Sequence, residues 1–261
     1  MFLSKQDFKY LLRSRSWRFT RAARFGNLGP IATCDWRGYT LHYRPGTSDP
    51  HLIYKILFRT GGKAEYVFPA ALRAGVIFDV GANIGAASVL LATRFPHSRI
   101  FSFEPIPENF ELLKRNVAAL PNVTPVPLAL SSRSGSREVI SSLDKLNLGG
   151  YSFFQQGASK ETPRTQVVTA TPAEFMRAEG LEAVDLIKVD TEGAEYEILT
   201  SFETEVLQRV TWIVGELHSE RDFELLAYLT PWFDISAKNS LGKPQFIFNA
   251  CNKNALAQIV A

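Results

Sequence analysis

Val-Ile-Phe-Asp-Val-Gly-Ala-Asn-Ile-Gly, residues 76–85, is the stretch of sequence that decides the fold. Its first five residues are apolar except for Asp79 and show no alternation, which is typical of a parallel strand buried on both faces. Gly81 and Gly85 follow the strand, and residues 86–95 then show helical periodicity. A strand, a glycine turn and a helix in this order predict the first unit of a doubly wound α/β fold.

Strand and helix patterns alternate in the same way through the rest of the chain. Further apolar strands are expected at 99–103, 123–130, 187–189 and 212–214, with helices near 107–117 and 194–199 between them. Two last strands, 233–237 and 245–249, flank a turn-rich sequence and predict a hairpin. The sheet is therefore expected to finish with one antiparallel strand.

The pattern divides the chain into two regions. Residues 1–72 form a basic arm and a cap, with a strand pair at 31–43 and a helix from Asp49. Residues 73–261 form the α/β domain. Residues 132–170 are polar and too long for an idle loop, so we interpret them as an insertion over the ligand crevice.

Composition excludes several classes of protein. Of the 261 residues 46% are hydrophobic and 21% are charged, which is typical of a globular protein rather than a disordered one. No apolar run approaches the ~18 residues of a membrane-spanning helix. A net charge of +3 is too small to indicate a nucleic-acid partner. Two cysteines without metal-ligand spacing favour a reducing compartment, and we expect a cytoplasmic protein.

Positive charge is concentrated at the N-terminus. Residues 1–28 contain seven basic residues and one acid, so this segment carries +6 and the remainder −3. One interpretation is a basic amphipathic arm that contacts an anionic surface. A targeting peptide and a helix that simply caps the domain are the alternatives.

Two acids stand at the carboxyl ends of the first two strands, where open α/β sheets bind ligands. Glu104 follows Asp79 by 25 residues and can accept both hydroxyls of a ribose. The glycines lack the G-x-G-x-x-G spacing of a dinucleotide site, which disfavours an NAD-linked oxidoreductase. Asp79 would repel phosphate and suits a cationic ligand such as S-adenosylmethionine.

Several motifs occur in a fixed order: Arg44–Asp49, Ile77–Gly85, Phe103–Asn109, Asp185–Glu195 and Glu216–His218. The set resembles the FkbM family of S-adenosylmethionine-dependent methyltransferases over about residues 44–250. The resemblance implies a seven-stranded class I, Rossmann-like methyltransferase fold, with residues 73–261 as the S-adenosylmethionine-binding domain. It also implies methyl transfer to a hydroxyl of a sugar or natural product. An N-methyltransferase of the same fold and a non-catalytic cofactor-binding interaction protein are the alternatives.

The resemblance also assigns cofactor-binding residues. The positions that match the methionine and adenosine part of the site are Asp79, Gly81, Asn83 and Gly85. Glu104 matches the ribose-binding acid, and Leu130 with Ser131 matches the adenine rim. Asp190, at the end of the fourth strand, is also expected to contact the cofactor.

Asp190, Glu216 and His218 are the candidate catalytic residues. Glu216 and His218 project to the same side of their strand, and consecutive strands usually pair, so the three side chains should meet in one crevice. A neutral imidazole can take the hydroxyl proton, with Glu216 or Asp190 orienting it. Alternatively the three residues bind Mg²⁺ or Mn²⁺, or His218 is structural.

Two charged residues near this crevice have structural interpretations. Lys188 shares a strand face with Asp190 and needs an anion when buried, for which Asp190 and Glu216 are the candidates. Glu192 is interpreted as an acid at a helix start. The oligomeric state is not indicated.

The acceptor class is expected to be a small molecule or glycan. Residues 146–156 contain aromatic and amide groups suited to stacking and hydrogen-bonding a sugar. The same composition would suit a polyketide or a phenol.

Overall fold

The computed structural model describes residues 4–26, 29–140, 162–218, 221–239 and 246–255. The N-terminal elements are α1 (Lys5–Ser14), α2 (Trp17–Phe25), β1 (Ala32–Trp36), β2 (Tyr39–Tyr43), α3 (Asp49–Ile53), a π-helical segment (Tyr54–Phe58) and a 3₁₀ turn (Gly61–Lys63). Those that follow are β3 (Val76–Val80), α4 (Ala86–Arg94), β4 (Arg99–Phe103), α5 (Pro107–Val117), β5 (Val123–Val126), β6 (Ala129–Leu130), β7 (Gly135–Ile140) and β8 (Arg164–Ala170). The last are α6 (Pro172–Ala178), β9 (Leu186–Val189), α7 (Glu195–Thr200), α8 (Thr204–Leu207), β10 (Trp212–Leu217), α9 (Asp222–Leu229), β11 (Phe233–Asn239) and β12 (Phe246–Asn252).

The main sheet has seven strands within the described residues, in the order β11-β12-β10-β9-β3-β4-β5. Strands β5, β4, β3, β9 and β10 run parallel to one another. Strand β12 is antiparallel to both of its neighbours, β10 and β11. This confirms the predicted doubly wound, seven-stranded class I methyltransferase sheet with a reversed last strand, formed by the predicted terminal hairpin.

Strand β3 is buried on both faces, as its unbroken apolar sequence predicts. Ile77 packs into a core cluster on one side of the sheet, and Phe78 and Val80 pack into a second cluster on the other side. All three side chains are at most 1% exposed. Two buried faces explain why every position of this strand except Asp79 is apolar.

The N-terminal region shares the first core cluster with the sheet. Tyr10 and Phe19 from the first two helices, and Leu41 and Tyr43 from β2, pack in the cluster that contains Ile77. The predicted division of the chain at residue 72 stays a prediction. None of the helices in the described part of the chain has both the length and the apolar character needed to span a membrane.

The prediction of a single third strand at 123–130 is wrong, because two separate strands lie in this range. Strand β5 ends at Val126, the amide of Leu128 donates back to the carbonyl of Val126, and β6 then joins a different sheet. The Leu128 amide is thus turned back within its own chain and does not extend the ladder to β4. A missing proline N–H is not the cause, because Pro125 lies inside β5 at the edge of the sheet, where it is tolerated. The turn carries the chain from the edge of the main sheet into a smaller sheet of order β6-β8-β7.

The described residues of the predicted insertion, 132–170, include two strands. Strands β7 and β8 pair antiparallel, and β8 also pairs with β6. Residues 141–161, which include the aromatic and amide segment at 146–156, lie outside the described residues. Val139 on β7 lines the crevice at the carboxyl ends of the main-sheet strands, so the described part of the insertion borders that crevice.

Candidate functional site

A cavity of about 220 Å³ opens at the carboxyl ends of β3, β4, β9 and β10. Its walls include the turn after β3, the residues after β4 and the ends of β9 and β10. The helix α3 and the π-helical segment supply a further part of the wall through His51, Leu52 and Lys55. The cavity therefore occupies the ligand crevice of an open α/β sheet, covered by the N-terminal region.

The turn after β3 brings backbone close to the neighbouring strand end. Gly81 has a φ of +74°, and a Cβ built on it would overlap the carbonyl oxygen of Asp190. Only glycine combines this left-handed backbone with so close an approach. Asn83 also has a positive φ, and its side-chain Oδ1 is buried without a hydrogen-bond partner among the described residues. An unpartnered buried oxygen in a cavity wall indicates a donor supplied by a ligand.

Glu104 is held in place by backbone amides. Its Oε2 accepts a hydrogen bond from the Asn83 amide (2.8 Å) and its Oε1 accepts one from the Ile106 amide (2.9 Å). Burial outweighs these hydrogen bonds and raises the pKa of Glu104 to about 7. The side chain of Asn109 also hydrogen-bonds to this carboxylate. A carboxylate has about four acceptor positions, so one remains for a ligand hydroxyl.

Asp79 is fully buried and is not among the described residues that line the cavity. Its carboxylate forms an ion pair inside the protein. Its Oδ1 lies 3.1 Å from the Lys188 Nζ, and its Oδ2 accepts a hydrogen bond from the Ser88 hydroxyl (2.7 Å). Lys188 also donates to the carbonyls of Val80 and Gly81. The prediction that Asp190 or Glu216 is the anion paired with Lys188 is thus wrong. The partner is Asp79, because the register of β3 on β9 places the two residues side by side.

Two further residues assigned by the resemblance are absent from the cavity lining that the structure describes. Gly85 precedes α4, where an added Cβ would lie 2.8 Å from a methyl carbon of Leu113. Ser131 is fully buried, and its hydroxyl donates to the Glu197 carboxylate (2.7 Å). The cofactor roles of Asp79, Gly85 and Ser131 stay predictions, and their observed contacts are with protein groups.

Asp190, Glu216 and His218 meet at the ends of β9 and β10. The His218 Nε2 lies 3.9 Å from the Asp190 Oδ1 and 3.8 Å from the Glu216 Oε2. One ligand atom from each residue lies within 4.8 Å of the other two, which is a spacing that can hold a metal ion. Asp190 and Glu216 line the cavity, whereas His218 is not among its described lining residues.

A third acid, Glu195, orients the imidazole from its other side. The His218 Nδ1 lies 3.3 Å from the Oε1 of Glu195, a carboxylate that is 0% exposed. The same oxygen accepts hydrogen bonds from the amides of Thr191 and Gly193. The turn that contains these two amides therefore fixes the Glu195 carboxylate independently of its contact with the ring. The Glu192 Oε2 lies 3.9 Å from the His218 Nε2, so the predicted helix-start acid in fact faces the cluster.

The acids hold His218 as a cation. Burial lowers the pKa of His218, but the hydrogen bond to Glu195 and the charges of Asp190, Glu195 and Glu192 outweigh it and raise the pKa to about 10. Burial and the Asp190 charge raise the pKa of Glu216 to about 7, against the charges of Lys55 and His218. Burial also disfavours ionised Asp190, yet Lys188, His218 and Lys55 keep its pKa below the ordinary value.

Two residues of the N-terminal region complete the cluster. The Tyr66 hydroxyl donates to the Asp190 Oδ2 (3.2 Å). The Lys55 Nζ forms an ion pair with Glu65 and lies 3.7 Å from the Glu216 Oε2. Each orients one of the two cavity-lining carboxylates.

Sequence reasoning assigned no role to Lys55, Tyr66 or Glu195. Glu195 lies in a quoted motif and looks like an ordinary acid at a helix start. Lys55 and Tyr66 approach from a region distant in sequence, so periodicity carries no signal for these contacts. Only the strand-end rule could be applied, and it identifies Asp190, Glu216 and His218.

The sequence also matches a known family. The family model described as "Methyltransferase FkbM domain" matches residues 79–241, which is more than half of the chain. This range contains both the turn after β3 and the carboxylate–imidazole cluster.

Curated relatives match over about half of the chain. "Methyltransferase sdnD" from Sordaria araneosa is 29% identical over 168 residues, which are 54% of this chain and 65% of the relative. "Hexuronic acid methyltransferase AglP" from Haloferax volcanii is 30% identical over 148 residues, 56% of this chain and 57% of the relative. "31-O-demethyl-FK506 methyltransferase FkbM" from Streptomyces tacrolimicus is 28% identical over 175 residues, 56% of this chain and 67% of the relative. The chain thus spans less than two thirds of the length of the first two relatives.

Proposed function

This chain belongs to the FkbM methyltransferase family, and from that premise we propose that it transfers the methyl group of S-adenosylmethionine to a hydroxyl of a sugar or natural product. The observation that carries the proposal is one cavity with two chemically different ends. Glu104 and Asn83 line one part of it, and Asp190 and Glu216 line another. A methyltransferase needs a cofactor site and a proton-accepting site joined in this way.

The names of two relatives support an oxygen acceptor. One is called a hexuronic acid methyltransferase and the other a 31-O-demethyl-FK506 methyltransferase. The first name indicates a sugar acid and the second an oxygen atom of a natural product. We extend the hydroxyl acceptor to this chain on the strength of its family and its cluster of acids, and the acceptor itself is to be identified by experiment.

The residues of the β3 turn and of the end of β4 fit S-adenosylmethionine. Glu104 offers an acceptor for a ribose hydroxyl, and the unpartnered Asn83 Oδ1 offers an acceptor for a polar hydrogen of the cofactor. Asp79 acts indirectly, because it pairs with Lys188, which bonds the carbonyls of Val80 and Gly81 and fixes the turn. When bound, the cofactor supplies an electrophilic methyl group on sulfur.

Glu216 is the group that we assign to the acceptor's proton. It lines the cavity, and a carboxylate with a pKa of about 7 can be ionised and still accept a proton at neutral pH. His218 has a pKa of about 10 and therefore carries its proton at neutral pH. We thus replace the expected role of His218 as the base with that of a cation that balances Asp190 and Glu216. Tyr66 and Lys55 hold the two carboxylates in position.

A divalent ion is the second scheme for the same three side chains. Two carboxylates and one imidazole form a donor set suited to Mg²⁺ or Mn²⁺, and their ligand atoms lie close enough together to hold one ion. Asp190, Glu216 and His218 would then be ligands, and a bound ion would lower the pKa of the acceptor hydroxyl. His218 would have to lose its proton to bind the ion.

The proposal is tested by methyl transfer itself. The protein is incubated with S-adenosylmethionine carrying an isotopically labelled methyl group and with a panel of sugars, glycans and natural products. Mass spectrometry with fragmentation then locates the label in the product. We expect the label on an oxygen atom. A label on nitrogen would contradict the hydroxyl proposal while leaving the family assignment intact.

A further inference from the structure

The first two helices form a layer over the N-terminal part of the core. Tyr10 of α1 and Phe19 and Ala22 of α2 are buried at 5%, 0% and 0% exposure. The rings of Tyr10 and Phe19 lie 5.9 Å apart, and Phe19 also contacts Tyr43. One side of each helix is thus fixed on the domain, which leaves the opposite sides facing solvent. We call the exposed side chains of α1 and α2 the outer face.

The outer face carries large apolar side chains. Phe8 is 58% exposed, Leu12 62%, Trp17 50% and Phe25 42%. Phe8 and Leu12 are four residues apart on α1 and share a helix face. The described part of the chain has eight exposed large hydrophobic side chains, and half of them lie on these two helices. Clustering of this kind marks an interaction surface rather than scattered exposure.

The other exposed groups of the outer face are mainly basic. Lys5, Lys9, Arg18 and Arg21 are all exposed. Asp7, the acid of the segment, is 5% exposed and accepts hydrogen bonds from the Ser4 amide and from Arg24. The outer face therefore presents cationic and apolar side chains without an opposing carboxylate among the described residues.

The uneven distribution of charge along the chain favours an orientation in which this face meets an anionic surface. Residues 1–28 carry +6 and the remainder carries −3. An anionic surface attracts the helices and repels the rest of the protein, so the encounter favours one orientation.

We propose that the outer face of α1 and α2 is a docking surface for an anionic lipid bilayer. Basic side chains that surround exposed Phe, Leu and Trp are typical of helices that lie in the membrane interface. The aliphatic Leu12 favours lipid over nucleic acid, because it adds apolar area without a ring that could stack on a base. The helices stay folded on the domain, and their outer side chains enter the headgroup region.

Vesicle sedimentation tests the proposal with the full chain. Sucrose-loaded vesicles of phosphatidylcholine alone are compared with vesicles of phosphatidylcholine mixed with phosphatidylserine. We expect at least about tenfold stronger binding to the anionic vesicles, with a loss of binding as the salt concentration rises. Equal binding to both vesicles, or no binding to either, would overturn the proposal.

Two pairs of variants separate charge from apolar contact. Arg18→Glu/Arg21→Glu should weaken binding to anionic vesicles about tenfold or more. The control pair Arg115→Glu/Arg177→Glu makes the same change of charge at exposed helix positions elsewhere. The control pair should bind these vesicles more strongly than the first pair. Phe8→Ser/Leu12→Ser should weaken binding, and the control Phe223→Ser, at a side chain that is 85% exposed, should not. Unaltered thermal unfolding of each variant shows that the helices remain docked. Equal effects of test and control variants would contradict an assignment to the outer face.

Trp17 reports directly on contact with lipid. The chain has four tryptophans, and Trp17 is 50% exposed, so its fluorescence should shift to shorter wavelength on anionic vesicles. Trp17→Phe should abolish the shift and leave most of the binding. Tighter binding of a single-stranded RNA than of anionic vesicles, lost in Arg18→Glu/Arg21→Glu, would replace the membrane by nucleic acid and overturn the proposal.

Discussion

The Nδ1 of His218 lies 3.3 Å from the Oε1 of Glu195, a fully buried carboxylate that begins helix α7. The two amides that donate to the same oxygen hold it in place, so the ring position is set by the turn between β9 and α7. This contact places a fixed negative charge on the side of the ring away from the Nε2, which faces Asp190 and Glu216. His218 is therefore a charged member of the cluster at neutral pH.

The first prediction concerns the protonation of His218. In Glu195→Gln the pKa of His218 should fall from its value of about 10, because the hydrogen-bonded carboxylate that stabilises the imidazolium has been removed. An NMR titration of the ring resonances measures this pKa directly. The protein has four histidines, so His218→Asn assigns the signal. A His218 that titrates near its ordinary value in the wild-type protein would contradict the described electrostatics.

The second prediction concerns the pH dependence of turnover. If ionised Glu216 accepts the proton, the rate should rise with pH through about 7. The rate should fall again near pH 10, where His218 loses its proton. Glu216→Gln should lose about 10²–10⁴-fold in turnover and should no longer show the lower limb. S-adenosylmethionine affinity is the control and should change little.

The same profile separates the alternative schemes. If neutral His218 is the base, the rate rises only through about pH 10 and His218→Asn is the more damaging change. If a divalent ion is required, a chelator stops the wild-type enzyme and added Mg²⁺ or Mn²⁺ restores it. Full activity in the chelator, with a lower limb near pH 7, is the result that the Glu216 scheme predicts.

The third prediction concerns Glu197 on α7, whose carboxylate contacts Arg137 of the small sheet. Burial alone would raise the pKa of Glu197, but hydrogen bonds from Ser131, Ser132 and Arg137 lower it to about 2. A carboxyl group with a lowered pKa in the folded state stabilises the protein above its unfolded pKa and loses this effect as the pH falls through about 2. Glu197→Gln should therefore lower the free energy of unfolding at pH 7 by about 1–2 kcal/mol, and the difference should shrink in acid.

Denaturant unfolding at several pH values measures this effect. Glu138→Gln is the matched control, because Glu138 forms an exposed ion pair with Arg164 in the same small sheet. Exposed pairs contribute little, so this variant should unfold almost like the wild-type protein. Equal and pH-independent losses in both variants would show that Glu197 has no special stabilising role.

The fourth prediction concerns the insertion. We expect residues 132–170 to select the acceptor, because they are polar and because Val139 of β7 lines the cavity. Replacing residues 141–161 by a short glycine-serine link should leave S-adenosylmethionine affinity intact while acceptor turnover falls. Calorimetry and a methyl-transfer assay provide the two values. An equal loss of both would show that the segment belongs to the cofactor-binding core.

The sequence predicts the strand ends better than the contacts between them. An unbroken apolar strand and a terminal hairpin are local patterns, and both are confirmed. The meeting of Asp190, Glu216 and His218 also follows from local rules, since it needs only side-chain alternation and pairing of consecutive strands. The partner of Lys188 depends on the register of β3 against β9, which periodicity does not determine.

The protonation states of the clustered side chains could not be predicted from the sequence either. The pKa of His218 depends on Glu195, Glu192 and Asp190 at once, and an ordinary imidazole is all that the sequence shows. Tyr66 and Lys55 come from the N-terminal region and contact residues more than a hundred positions away. The end of β5 at Val126 could not be predicted from its prolines, because Pro125 lies inside the strand and Pro127 lies just beyond it.

Calorimetric titration with S-adenosylmethionine is the most direct test of the central claim, that the cavity beside Glu104 binds this cofactor. We expect the wild-type protein to bind S-adenosylmethionine and not NAD. Glu104→Ala should weaken binding by about ten- to a hundredfold, because a charge-assisted hydrogen bond contributes about 1.5–3 kcal/mol. Glu108→Ala, an exposed acid on the neighbouring helix, should bind like the wild-type protein. Binding of NAD in place of S-adenosylmethionine, or unchanged affinity in a folded Glu104→Ala protein, would contradict the account.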